Sequence, residues 1–423
     1  MKNNLLFIAF LFLTLTTKAQ GVVFNAKGIL ILFDADTAPS VIVDGKTLKE
    51  KGQKDNLLGV KFPLDRNSEE SKPLFVSNSM FGSSRLIAVS PKGDLALVIE
   101  NRGGLADSVS KISNLENSLP NGQFMTAIDI SDIQKPISKF KVSVGKNPVS
   151  IAFDSSGNNI ALLSSEYTKE LLLLDIDENG KLSRPISKPN FMTSGRLIDL
   201  AWHPSADFLA VINDDVHEVS IIKVMREGAR KTPYRMDLVG KPIKVGTKPI
   251  FCKFTNDGRF LLILDSPSKP ESLEKGKLFA MKVDFLGKNE HILLSSVPTE
   301  CYSSNFDIST NNKMIVVSNS KTSFFPLNHL NFKAESSISC ISLSDDGTLK
   351  FENEKIVNGA FVHSVSFDST SENVLVNVNE YFNFGKKIGG VEFFKVNLEK
   401  FTLEKQTNNL IFQKGSHTIS VVK

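Results

Sequence analysis

Residues 197–214 read LIDLAWHPSADFLAVIND: an alternating apolar run, a polar turn and a second apolar run, the signature of a β-hairpin. The same form returns at 85–101 (RLIAVSPKGDLALVIEN), 149–166 (VSIAFDSSGNNIALLSSE), 250–266 (IFCKFTNDGRFLLILDS) and 363–380 (HSVSFDSTSENVLVNVNE). A weaker copy lies at 302–320 (YSSNFDISTNNKMIVVSNS). The turns centre near Gly93, Gly157, Ala206, Gly258, Asn312 and Ser371, and glycine and asparagine tolerate the positive φ that tight turns demand. Trp202, the only tryptophan, falls where the other copies place Phe153, Phe254 and Phe367, so it reads as a core aromatic. His203-Pro204 then enters the turn, and His203 reads as structural.

A second hairpin follows most of the first ones, at 171–182, 219–228, 278–288, 340–349 and 391–403. Four short antiparallel strands per unit, repeated at a period of roughly 56 residues, predict a β-propeller, and a mature chain of about 403 residues holds about seven such units. Six are visible, so the seventh is assembled from the ends. Residues 28–48 (GILILFDADTAPSVIVDGKTL) read as two or more strands, and 417–422 (HTISVV) as one. Pairing them closes the ring and removes exposed sheet edges. Segments 49–72 and 102–122 are polar enough for long loops, and no run looks helical for long.

The N-terminus, MKNNLLFIAFLFLTLTTKAQ, has a secretory layout: Lys2, an apolar stretch from Leu5 to Leu15, and Thr17-Lys18-Ala19 as a cleavage signal. The apolar run is too short to span a bilayer. Residues 1–20 are therefore expected to be a signal peptide and 21–423 a single propeller domain, periplasmic or secreted, with no membrane span after processing. Removing Lys2 and Lys18 with no acid lowers the formal charge from +4 to +2. No basic cluster points to nucleic acid. The three cysteines, Cys252, Cys301 and Cys340, leave at least one unpaired, and with no CxxC pair a structural zinc site is not expected.

The repeat resembles the lactonase-like seven-bladed propellers, which include bacterial 6-phosphogluconolactonase, the fungal-type carboxymuconate-lactonizing enzymes and secreted YVTN-repeat propellers. Their pattern is roughly G-x-x-P-R-H-x-x-F-x-P-x-G followed by an apolar strand ending in Asn-Glu. It is matched in spacing by Gly145, Pro148 and Phe153 and by Gly246, Pro249 and Phe254. Ser150, Asp199, Phe251 and Ser364 occupy the His position, His363 occupies the Arg position four before Phe367, and Asn379-Glu380 matches the strand end. The resemblance implies the fold and, as an expectation, action on a lactone.

With each turn taken as a mirror, the start of the first strand and the end of the second meet at one end of each blade. Collected there are Arg85, Glu100, Asn101, Arg102, Glu166, Arg196, Asn213, Asp214, Asp215, Asp265, Asn319, His363 and Glu380. In equivalent blades these groups ring one mouth of the central channel, where convergent polar groups on rigid strands suit a ligand. His363, Glu380 and Arg196 are the candidate catalytic residues: His363 or Glu380 as general base or acid, Arg196 as a fork for carboxylate or phosphate. Arg85, Glu100, Arg102, Glu166 and Asp214 are the candidate ligand-binding residues. The opposing reading is that strand ends turn polar wherever the chain meets water.

DIDENGKLSRPI (175–186) imitates a calcium loop, yet its twelfth position is Ile186, which cannot ligate. There is no GxSxG, HExxH, P-loop or GxGxxG. His417 is expected to be structural. No cofactor is required, no metal ligand set is assigned, and the acidic mouth is compatible with a divalent cation. Two functions stay open: a monomeric module binding a small molecule, a glycan or a protein partner at the mouth, and a hydrolase acting on a sugar or carboxylic-acid lactone.

Overall fold

Seven antiparallel sheets make up the computed structural model, each a blade whose first strand lines the axis. It describes residues 21–423 except 48, 50, 65–70, 82–84, 114, 178–180, 184–185, 188–194, 229–231, 268–272, 289 and 383–385. The expected signal peptide, 1–20, and part of the DIDENG turn lie outside the described residues. The inner strands are Ser416–Val422 in blade 1, then Ile87–Val89, Ser150–Phe153, Leu197–Trp202, Pro249–Phe254, Ser303–Ile308 and Val365–Phe367 in blades 2 to 7. Blade 1 is closed as expected: Ser416–Val422 pairs with Gly28–Phe33, Gly28 opposite Val422.

The hairpin turns follow the sequence reading closely. Gly93, Gly157, Ala206, Gly258, Asn312 and Ser371 all have φ between +60° and +75°. Second strands are buried along almost their whole length, as in Asn159–Leu163 and Phe260–Asp265, because neighbouring blades cover both sheet faces. Outer strands such as Ile137–Ser143 and Ile292–Pro298 carry many exposed positions, since they form the rim. Trp202 packs beside the core of blades 3 and 4 and donates its indole N–H to the Ala152 carbonyl at 3.2 Å. His203 sits at the turn end, its ring edge-on to Phe254 and Phe285, and burial lowers its pKa.

Two expectations need correction. Residues 28–48 hold one strand, and VIVD (Val41–Asp44) forms a single helical turn closed by Gly45 at φ +72°. The segment 49–72 is not wholly loop, because Asn56–Lys61 forms the next strand of blade 1. That strand reads weakly because it needs a glycine: a Cβ on Gly59 would stand 1.7 Å from the Ile133 carbonyl oxygen of blade 2. The loops between second and third strands of blades 1 and 2 are long and join above the mouth. Lys46 bridges Lys111, and Val41, Leu105, Ile112 and Leu119 form a small apolar cluster of their own. Lys49 pins this cap, its buried ammonium 2.8 Å from Asp36 and 3.4 Å from Asp107. Among the described residues no helix is long and apolar enough to cross a membrane.

Candidate functional site

Inner strands begin at the cap face, so the polar strand ends gather there. Most of them serve the fold directly. The side chain ending a second strand accepts backbone N–H groups from the loop that leads into the inner strand of the same blade. Glu166 accepts Lys146 N–H at 3.1 Å, Asp215 accepts Arg196 N–H at 2.9 Å, and Asp265 accepts Thr247 N–H at 2.9 Å. Asn101 does the same for Ser79 at 2.8 Å, and Asn377, midway along the strand Asn373–Tyr381, accepts His363 N–H at 3.1 Å. These loops lie away from the ladders, so a carboxylate or amide at the strand end satisfies donors that would otherwise be orphaned.

The individual candidates are placed as follows. Arg196 binds Asp214 of its own blade through its guanidinium. Glu166 pairs with Lys169 at 2.7 Å. Glu100 accepts Gln123 N–H at 3.2 Å and lies 3.8 Å from the Lys141 ammonium. Arg102 belongs to the cap, its backbone bridged to Asn121. Arg85 reaches out of blade 2 and across the channel. Its Nε is 3.0 Å from Asp199 of blade 4, its Nη2 donates to the Cys252 carbonyl of blade 5, and its guanidinium stacks 4.3 Å above the Phe251 ring. Asp199 is fully buried and also accepts the Ser150 hydroxyl at 3.0 Å and Cys252 N–H at 2.9 Å. Four blades thus meet around one buried carboxylate. The sequence signal for it was an acid amid the apolar strand LIDLAW.

At the seam of blades 7 and 1 the arrangement differs. Asn78 donates its amide to the Phe33 and Val76 carbonyls, which leaves its Oδ1 as acceptor and makes His417 Nε2 the donor at 2.7 Å. His417 Nδ1 then takes the Thr418 hydroxyl at 2.9 Å, so this ring is fully partnered, as a structural histidine should be. His363 directs Nδ1 at the His417 carbonyl at 3.2 Å, which requires a proton on Nδ1. Its Nε2 is therefore a bare acceptor, and among the described residues no protein group bonds it. Burial pulls the His363 pKa down to about 4, against the pull of that carbonyl bond, so the ring is neutral. Phe361 stacks on it at 5.3 Å.

Glu380 stays close by, since Ala360 N–H donates to its backbone carbonyl at 2.8 Å. Its carboxylate pairs with Lys414 at 3.5 Å in a cleft that Asp34, Thr37, Gln53 and Asn379 also line. Asn379 itself donates to the Ser416 carbonyl at 3.0 Å and ties blade 7 to the closing strand. Behind the cleft lies an acid pair that the sequence reading missed. Asp34 accepts hydrogen bonds from the Asp36, Thr37 and Met80 amides and from the Thr37 and Ser79 hydroxyls. Among the described residues the Asp55 carboxyl accepts the Ala35 and Asn78 amides alone. Burial raises both acids, and the neighbouring Asp34 charge adds to the rise at Asp55, which is pushed up to about 8. With five donors favouring the Asp34 anion, the proton resides on Asp55.

His363 and Glu380 are thus brought to one corner of the mouth, whereas Arg196 sits three blades away and bound to Asp214. Among the described residues no group of three or more His, Cys, Asp or Glu side chains is placed to hold a metal ion.

No family model matches the chain, and no curated protein matches it significantly. Solved structures do match in fold. The periplasmic gluconolactonase of Pseudomonas aeruginosa superposes with a TM-score of 0.62 at 12% identity over 93% of this chain and 99% of that one. A Lactobacillus plantarum protein gives 0.61 at 14% identity over 94% and 100%. A candidate 6-phosphogluconolactonase from Bacteroides uniformis gives 0.60 at 11% identity over 94% and 100%. The fold is that of the lactonase-like seven-bladed propellers.

Proposed function

We propose that this chain is an exported propeller that binds a small, oxygen-rich molecule at the mouth between blades 7 and 1, a sugar or carboxylic-acid lactone or its open acid. The observation that carries this reading is His363: neutral, held in one tautomer, and presenting an unbonded Nε2 acceptor to a ligand hydroxyl. Lys414 and Glu380 lie on the adjoining cleft and supply a donor and an acceptor for further oxygens. Arg85, Glu100, Arg102, Glu166, Arg196 and Asp214 frame the mouth. The fold likeness to a periplasmic gluconolactonase supports the ligand class, and the N-terminal layout supports export. The terminal residue of a glycan would meet the same groups.

Binding is favoured over turnover by the histidine itself. A general base works best with a pKa near the working pH, and one held near 4 gains little by taking a proton from water. The hydrolytic reading rests on the adjoining cleft, where Glu380 and Asp34 share one lining and Asp55 retains a proton behind them. In that reading Glu380 would act as base, with the Asp55 proton as an acid held behind the lining.

Titration of wild type and His363→Ala with gluconate and glucono-δ-lactone, followed by calorimetry, tests the reading. Loss of one hydrogen bond to the ligand is expected to weaken binding about tenfold. Unchanged affinity in the variant, or no binding to wild type, overturns it. Lactone hydrolysis that vanishes in Glu380→Gln, assayed with and without Mg²⁺ or Ca²⁺, would establish the hydrolase instead.

A further inference from the structure

On the face opposite the mouth, the turns of blades 2 and 3 enclose a cavity of about 540 Å³, within the range of about 300–1,000 Å³ that small-molecule sites occupy. Two features of the fold create it. Gly157, at φ +73°, brings the turn of blade 3 against that of blade 2, since a Cβ there would stand 2.9 Å from Pro91 Cδ. Farther out the blades differ in width. Ile137–Ser143 supplies seven residues to the outer strand of blade 2, whereas Ile186–Ser187 supplies two to that of blade 3. The flank of blade 2 that carries Asp129 and Lys139 is left to line the cavity.

The base of the cavity is apolar: Ile176 belongs to the core that runs through these blades, and Leu95 and Phe153 pack against it. Around that base stand groups of both signs. Asp94 accepts the Ser90 hydroxyl on Oδ1 at 2.7 Å, and Asp129 accepts Ser131 N–H on Oδ1 at 2.9 Å. The Ser131 bonds hold the Asp129 carboxyl below the usual carboxylate range, with Lys139 adding to the effect, so it is anionic. Among the described residues Asp94 Oδ2, the Asn158 side-chain amide and the Lys139 ammonium have no hydrogen-bond partner. A hydroxyl both donates and accepts, so it suits a lining that mixes carboxylates with an ammonium and an amide. An anion would meet Asp94, Asp129 and Asp177, and a cation would meet Lys92 and Lys139.

We propose that this cavity is a second ligand site, for a neutral saccharide. Ring hydroxyls donate to Asp94 and Asp129 and accept from Lys139 and Asn158, while the C–H face of the ring lies on the apolar base at Phe153 and Leu95. The site owes nothing to His363, which lies at the other end of the blades.

The test is calorimetric titration of maltose, cellobiose, galactose and N-acetylglucosamine, at millimolar concentration, into wild type, Asn158→Ala, Lys139→Ala, the double variant and His363→Ala. Wild type is expected to bind at least one of them. Loss of one hydrogen bond weakens that binding about fivefold, so each single substitution is expected to do so and the pair to weaken it about twenty-fivefold. His363→Ala is expected to leave it unchanged. Asn158 and Lys139 are both exposed, so their variants are expected to melt within about 1 °C of wild type. No saccharide bound, or binding that ignores both substitutions, overturns the proposal. Saccharide binding lost in His363→Ala instead moves the ligand to the mouth and also overturns it. Binding of glutamate or lysine at Asn158 and Lys139 with no saccharide bound would mark an ionic ligand and overturn it as well.

Discussion

Asp199→Ala removes at a stroke the acceptor for Arg85, the Ser150 hydroxyl and Cys252 N–H, so the propeller axis is where stability should be most sensitive to one substitution. Breaking a buried ion pair from one side costs about 3–5 kcal/mol. Arg85 keeps the Cys252 carbonyl and the Phe251 face, and its side chain is 20% exposed, which draws its share to the lower end. The orphaned Cys252 amide adds about 1–3 kcal/mol, for an expected loss of about 4 kcal/mol. Unfolding entropy of about 2.1 cal/mol/K per residue over about 400 residues turns that into a fall of about 5 °C in melting temperature. Arg85→Met should cost a similar amount, because it leaves the carboxylate buried without its cationic partner. The double variant Arg85→Met/Asp199→Leu, apolar on both sides, should return to within about 2 °C of wild type. Calorimetric melting of the four proteins decides it. A fall below about 1 °C for Asp199→Ala, or a double variant as unstable as both singles combined, would refute a coupled bridge.

Stability should depend on pH in two opposed limbs. Folded His363 refuses a proton down to about 4 and His417 is lowered further, so unfolded chains bind more protons and stability falls as pH drops from about 6.5 toward 4. Asp55 keeps its proton to about 8 while the unfolded acid has lost it, so stability falls as pH rises toward 8, by about 1.4 kcal/mol per unit above 6.5, where the histidines no longer oppose it. Denaturant midpoints across pH 4 to 8.5 should show His363→Phe flattening the acid limb and Asp55→Asn the alkaline one; an alkaline limb untouched by Asp55→Asn would contradict the proton on Asp55. Gly258→Ala adds a Cβ 2.1 Å from His203 Nε2 at φ +73°, and is expected to cost about 2 kcal/mol or more by urea denaturation. Part of that loss should return in His203→Ala/Gly258→Ala; no return would mean that backbone strain alone sets it.

Much of the mouth was legible because strand ends are local. His363 and Glu380 could be placed at one end of a blade by counting back from Ser371, and the structure puts them there. Asp34 and Asp55 escaped notice because they flank a cap loop with no repeat to align against. Asp199 was visible as an acid in an apolar strand, but its partners lie 114 residues upstream at Arg85 and 53 downstream at Cys252. The helical turn at Val41–Asp44 was read as strand because four apolar-rich residues fit either period.

The sequence by itself determined the hairpin, its repetition and the number of blades, since alternation and turn chemistry act between residues a few positions apart. The same local pattern set His203 at the turn end, where the structure has it packed against Phe254 and Phe285. Only the tertiary structure decided which polar groups are consumed by the fold and which keep an unbonded atom, as His363 does at Nε2. Ring closure sets Asn78 against His417, 339 positions apart, and through His417 fixes the proton on His363. A strand pattern records which way a side chain points. It carries no trace of the partner that seven blades, turned about one axis, bring to meet it.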